Sequence, residues 1–111
     1  MSITITISEE VAQHLNSLSF DAADDINQKL RKLLEAEYRR RLARYHLTNR
    51  HLSQKYQMSF EEFERERLTE KLDYCWEVES DAIAWETAVD GIRTVQRQLT
   101  QLTLEGQGDD H

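Results

Sequence analysis

The side chains of this 111-residue chain best suited to chemistry are His14, His46, His51, His111, Cys75 and the run Arg39, Arg40, Arg41 with Arg44. His46 and His51 stand five residues apart, a poor spacing for one helix face, and Cys75 is far from every histidine in sequence. A protein-bound zinc needs three or four such ligands converging on one point, so the pattern predicts no metal site. The sequence holds no glycine-rich phosphate loop and no serine elbow. Glu61 and Glu62 form a carboxylate pair, but they sit in a run of charge that reads as a solvated face. The expectation is a chain with no catalytic residue, no metal and no cofactor, and so not an enzyme.

Binding is the function class that remains, and charge gives it direction. The formal net charge is −7. Residues 1–28 hold five acids and no base, residues 29–55 hold nine bases against two acids, and residues 56–111 hold fourteen acids against five bases. A basic middle and an acidic end suggest two different contacts. The arginine run fits a phosphate patch, and it equally fits pairing with the acidic second half. Trp76 and Trp85 flank an acidic helix start at Ser80. They fit the core of a small helical subdomain, and they also fit partner anchors, because tryptophan is enriched at binding hot spots.

The elements that must position these residues read mainly as helix. Proline is absent and all three glycines follow residue 90, which favours long uninterrupted helices. Ser8, Glu9 and Glu10 supply a cap and acids for a first helix bearing Val11, Leu15 and Leu18 on one stripe. Asp21 is a plausible cap for a second helix whose apolar face runs through Ile26, Leu30, Leu33 and Leu34, then Tyr38, Leu42, Tyr45, Leu52 and Tyr56. Only Asn49 interrupts that stripe, and one straight helix or a kink near Asn49 both fit. Ser59 with Glu62 forms a capping box that opens a short charged helix running to about Lys71. Tyr74, Trp76 and Val78 alternate with Cys75, Glu77 and Glu79, which predicts an extended stretch, and Ser80-Asp81 then opens the last helix. In that helix Trp85, Ala88, Ile92, Val95, Leu99 and Leu102 step by 3, 4, 3, 4, 3, a heptad seam able to dock on another helix. The polar residues 105–111 read as a frayed end.

The chain opens with Ile3, Ile5 and Ile7 alternating with Ser2, Thr4, Thr6 and Ser8. This is the period of a strand with one apolar and one hydroxylated face. A lone strand must send its N–H and C=O groups to a partner, and the same strand of a second copy is the economical one. That predicts a homodimer with a core of Ile3, Ile5, Ile7, Val11, Leu15, Ile26, Leu30 and Leu33. A single cysteine allows no internal disulfide and fits a reducing compartment. No apolar run approaches the ~20 residues of a membrane span, and the N-terminus has no signal-peptide pattern. The expected setting is the cytoplasm, with no membrane contact.

The order strand, short helix, longer helix over residues 2–42 resembles the ribbon-helix-helix fold of prokaryotic repressors and antitoxins, in the stretches ITITISEEVAQHLNSL and DAADDINQKLRKLL. The runs KYQMSFEEFE and YCWEVESDAIAWE, with the closing leucine-spaced helix, resemble small prokaryotic antitoxins, some encoded beside TumE-type toxins. The first resemblance implies a strand that enters the DNA major groove, with Ser2, Thr4 and Thr6 facing bases. Hydroxyls discriminate bases weakly compared with Arg, Asn or Gln. The family also anchors phosphate at the start of its second helix, where this chain has Asp21, Asp24 and Asp25. Carboxylates there repel phosphate, and the nearest bases are Lys29, Arg31 and Lys32.

The sequence thus predicts a mainly helical type II antitoxin with two regions. Residues 1–45 form a ribbon-helix-helix-like head for dimerisation and operator binding. Residues 46–111 form a helical arm whose Tyr74, Trp76, Trp85, Ile92, Val95, Leu99 and Leu102 hold a basic toxin, a ribonuclease by this reading. Two rivals stand beside it: a ribbon-helix-helix DNA-binding regulator without a toxin, and a purely structural helical homodimer.

Overall fold

The computed structural model describes residues 3–18, 25–66 and 75–108. Among the described residues the architecture is carried by the helices α1 (Glu9–Ser17), α2 (Ile26–Tyr56), α3 (Phe60–Arg65) and α4 (Trp76–Gly108). At 1.5 Å per residue α2 and α4 are each about 45–50 Å long, and together they set the long axis of a molecule measuring 57 × 32 × 23 Å.

The local starts follow the capping rules. The Ser8 hydroxyl oxygen accepts from the Val11 N–H at 3.2 Å and opens α1. Asp25 accepts from the Gln28 N–H at 2.8 Å and opens α2. Ser59 accepts from the Glu62 N–H at 3.2 Å and opens α3. Each satisfies one of the orphan donors of a helix N-terminus. Asp21 and the stretch 67–74 lie outside the described residues, so the expected cap at Asp21 and the extension of α3 toward Lys71 do too. α2 ends where Gln57 takes a left-handed conformation with φ 56°, and the N–H groups of Gln57 and Met58 both reach the Ser53 carbonyl. The turn redirects the chain into α3 and back along α2.

α2 and α4 form an antiparallel hairpin. Lys55 meets Asp81, Asn49 meets Trp85, Tyr45 meets Gly91, and Arg31 meets the Leu102 carbonyl, so numbers rise along one helix as they fall along the other. The heptad seam of α4 therefore docks on α2 of the same chain. α2 continues through Asn49 without a break. Asn49 is where the α2 stripe turns polar because its carbonyl oxygen accepts the indole N–H of Trp85 at 2.7 Å. Trp85 is 0% exposed. Its ring lies 5.1 Å from Phe63, 5.6 Å from Phe60 and 5.9 Å from Tyr56. Leu52 and Val78 complete this core at the closed end of the hairpin, each such side chain contributing about 1.5–3 kcal/mol by burial.

Two expectations are overturned. Residues 3–8 form no strand ladder, and no strand occurs among the described residues. Ile3, Ile5 and Ile7 are exposed. Period-2 alternation is only a face pattern, and an extended segment becomes a strand when another backbone takes its N–H and C=O groups. No second extended segment among the described residues does so, and the ribbon-helix-helix fold class falls with it. The second correction is at residues 75–79, which are not extended: α4 begins at Trp76 rather than Ser80. Glu77 and Asp81 stand i, i+4 on one helical face and share Lys55, and Val78 joins the core. Tertiary contacts outweigh an alternation of three positions.

Gly91 marks the closest approach of α4 to Tyr45: a Cβ there would lie 2.5 Å from the Tyr45 ring. Gly91→Ala is expected to lower stability by about 1–3 kcal/mol through overpacking, in spite of alanine's better helix propensity. Tyr45→Ala in the same chain should remove that specific penalty, read as a non-additive cycle in urea denaturation. Asn49→Leu restores an apolar stripe but leaves the indole N–H unpaired, at a cost of about 1–3 kcal/mol. Adding Trp85→Phe should make the Asn49→Leu change nearly neutral, because no buried donor then remains.

Candidate functional site

At the closed end a polar network lies beside the aromatic core. Lys55 of α2 donates to Glu77 at 2.7 Å and to Asp81 at 2.6 Å, both on α4. The Tyr56 hydroxyl donates to the same Asp81 oxygen at 2.6 Å. Burial pushes the Tyr56 phenol up, and the Asp81 hydrogen bond adds to it, reaching about 12. Lys55 is raised, first by its hydrogen bond to Asp81 and then by that to Glu77. For Asp81, desolvation pushes the carboxyl up. The Lys55 and Tyr56 hydrogen bonds and the Lys55 charge outweigh it and hold the group below its ordinary value. Near neutral pH Lys55 is thus charged, Tyr56 protonated and Asp81 ionised, and the network clasps α2 to α4. Among the described residues no group of three His, Cys, Asp or Glu side chains could hold a metal ion, and Cys75 is exposed and free.

The basic run resolves into pairs along its own helix. Arg39 donates to Glu35 at 2.8 Å, Arg40 pairs with Glu37, and Arg41 donates to Glu37 at 3.0 Å. The Arg41 hydrogen bond is the main cause holding the Glu37 carboxyl below its ordinary value, against some desolvation, with Arg40 and Arg44 assisting. These exposed i, i+3 and i, i+4 pairs are screened by water and contribute little to stability. The acidic second half contributes elsewhere, through Lys55 and through Arg93 of α4 against Glu61 of α3 at 3.9 Å.

Of the residues expected to meet DNA, Ser2 lies outside the described residues and Thr4 and Thr6 are exposed on the segment without a ladder. Lys29, Arg31 and Lys32 are half-buried in the first two turns of α2. The Arg31 guanidinium donates to the Leu102 carbonyl at 3.3 Å, and the helix start itself is occupied by the Asp25 carboxylate. Of the residues expected to form a dimer core, Leu15 is buried and Leu33 is half-buried, while Ile3, Ile5, Ile7, Val11, Ile26 and Leu30 remain exposed.

The residues expected to hold a partner separate into two sets. Trp85 and Val95 are buried in the hairpin, and Ile92, Leu99 and Leu102 are half-buried along the same seam, so this set closes the chain's own fold. Tyr74 lies outside the described residues. Trp76, by contrast, is 81% exposed. Sequence reasoning missed its neighbour Ile83, which is 67% exposed. Trp76 and Ile83 stand i, i+7 on α4, two turns apart on one face. Glu79 and Glu86 follow each by three residues and Asp90 follows Ile83 by seven, so acids flank the apolar pair. The signal was available, because Trp76 and Ile83 both fall off the heptad seam. A shallow cleft of about 470 Å³, lined by Leu47, Thr48, His51, Leu52, Asp81 and Ala84, lies along the α2–α4 junction.

No helix among the described residues is long and apolar enough to cross a membrane. Compared with known protein families, with curated proteins and with solved structures, the chain matches none.

The clasp sets an expected pH profile. Asp81 is depressed in the folded chain, so its contribution is present above the unfolded value near ~4 and is lost as pH falls through the lower folded value. Lys55 and Tyr56 are raised, so theirs is present below the unfolded values near ~10 and is lost as pH rises beyond them. Urea denaturation should show a plateau between about pH 5 and 9. Asp81→Asn should flatten the acid limb and lower the plateau, and Tyr56→Phe should weaken the alkaline limb.

Proposed function

We propose that this chain is a non-enzymatic binding protein, an antitoxin that works as a homodimer and covers a basic toxin with the outer face of α4. The observation that carries the reading is the exposed pair Trp76 and Ile83 in its frame of Glu79, Glu86 and Asp90. A tryptophan left in water on a rigid helix, rimmed by acids, suits a partner that offers an apolar pocket set in positive charge. A ribonuclease surface that grips RNA phosphates has that positive charge. Masking it would neutralise the enzyme by steric cover and charge together. The hairpin behind the face is internally closed through Trp85, so the surface is displayed preformed and little ordering cost accompanies docking.

The test is co-expression with the product of the neighbouring gene, scored by growth rescue and pull-down. Trp76→Ala is expected to weaken the complex by about 2 kcal/mol or more, some thirtyfold in affinity, with the fold intact by circular dichroism. Ile83→Glu should weaken it too. Raising salt should weaken the wild-type complex through slower association. Trp85→Ala should act differently, lowering stability by about 3–5 kcal/mol. Undiminished rescue by a folded chain carrying both Trp76→Ala and Ile83→Glu would exclude the α4 face as the neutralising surface. A chain that captures no neighbouring product, yet shifts its upstream DNA in a gel, would favour the regulator instead.

A further inference from the structure

The clasp and the cleft beside it share one residue. Asp81 accepts from Lys55 and from Tyr56, each at 2.6 Å, and both bonds land on Oδ2. Among the described residues Oδ1 accepts no hydrogen bond. The Asp81 side chain is 20% exposed and lines the cleft along the α2–α4 junction. The charges of the clasp do not cancel either. Lys55 answers both Glu77 and Asp81, which leaves a negative charge over. The cleft's walls are apolar, from Leu47 and Leu52 on α2 and Ala84 on α4. Leu52 is buried, whereas Leu47 and Ala84 are exposed. The volume of about 470 Å³ lies within the ~300–1,000 Å³ of ordinary ligand clefts.

We propose that this cleft is a socket for a lysine or arginine side chain of a protein partner, its methylene stem against Leu47, Leu52 and Ala84 and its charged head on Oδ1 of Asp81. The chemistry selects among occupants. An apolar side chain would cover the carboxylate oxygen without replacing the hydrogen bond that water gives it. An acidic one would be repelled by the uncompensated charge. A long cationic side chain offers both an apolar stem and a donor head. The socket adjoins the face proposed for the partner, because Trp76, Ser80 and Ala84 follow one another at i, i+4, i+8 on α4. Residues 76–90 carry Glu77, Glu79, Asp81, Glu86 and Asp90 and no base, so the field around the socket favours a cation. The inference rests on the proposed partner-binding reading and adds the kind of residue that anchors the partner.

Two measurements test it. The first is a titration of the full chain with n-pentylammonium, which reproduces a lysine side chain, followed by backbone amide NMR shifts. His51 also lines the cleft and acts electrostatically on Asp81, so the titration runs at about pH 8, where histidine is ordinarily neutral. Shifts should cluster on Leu47, Thr48, His51, Leu52, Asp81 and Ala84. They should saturate in the millimolar range, at least about fivefold tighter than with uncharged n-pentanol. Ala84→Phe fills the cleft from an exposed position and should abolish the cluster. Leu47→Ala, at another exposed position, should weaken it severalfold. The second measurement is pull-down of the neighbouring gene's product, which Ala84→Phe should weaken at least about tenfold with the fold intact by circular dichroism. Scattered shifts, or pentanol bound as tightly as pentylammonium, would overturn the socket. So would a folded Ala84→Phe chain that captures the product undiminished while Trp76→Ala weakens it, a result that keeps the α4 face. A wild type that captures no product counts against the proposed function, and the titration then decides the socket by itself.

Discussion

The indole of Trp85 has one polar atom, a donor, and no way to accept in its place. Buried completely, it needs a single acceptor aimed at it from the facing helix, and Asn49 supplies that acceptor at 2.7 Å. Everything at the closed end is arranged around this demand. Tyr56, Phe60 and Phe63 surround the ring on its remaining sides. The left-handed turn at Gln57 brings α3 back so that its two phenylalanines can do so. One hydrogen bond fixes both the facing and the register of two long helices, because a slip of one residue in either would bury the donor unpaired.

Polar contacts elsewhere on the hairpin divide the remaining work. The clasp of Lys55 with Glu77 and Asp81 ties the first turns of α4 to the last turns of α2. Arg31 reaches across to Leu102 near the other end. The arginines from 39 to 41 hold Glu35 and Glu37 on their own helix. Local pairing of this kind lowers the net positive field of the middle segment. A run of bases that looks like a phosphate patch is in fact partly neutralised by acids three and four residues away.

The fold leaves its two ends unequal. Around Trp85 the apolar side chains are spent on the chain itself, while over residues 3–18 and 26–34 many remain exposed. The same inequality divides the two tryptophans, one fully enclosed and the other standing out on α4. Surfaces that remain apolar after a chain has folded are where association takes place. The closed end therefore carries the rigidity, and the uncovered faces are those on which a proposed partner would dock.

Much of this was legible in residue order. The caps at Ser8 and Ser59, the long helix through Tyr56 and the 3, 4, 3, 4, 3 seam of α4 follow from short-range chemistry and helical periodicity, which neighbours in sequence decide. The polar break at Asn49 was visible as an interruption, but its purpose was not, because the Trp85 donor lies 36 residues away. Residues 3–8 show the opposite failure: their alternation is that of a strand, yet a strand exists only where a second backbone accepts its hydrogen bonds. Residues 75–79 alternate too, and packing against Lys55 and the aromatic core makes them helix. Sequence by itself determined the capped starts at Ser8 and Ser59 and which helical faces are apolar. Only the tertiary structure decided which apolar faces meet within the chain and which are left in water, since burial depends on what lies opposite in space.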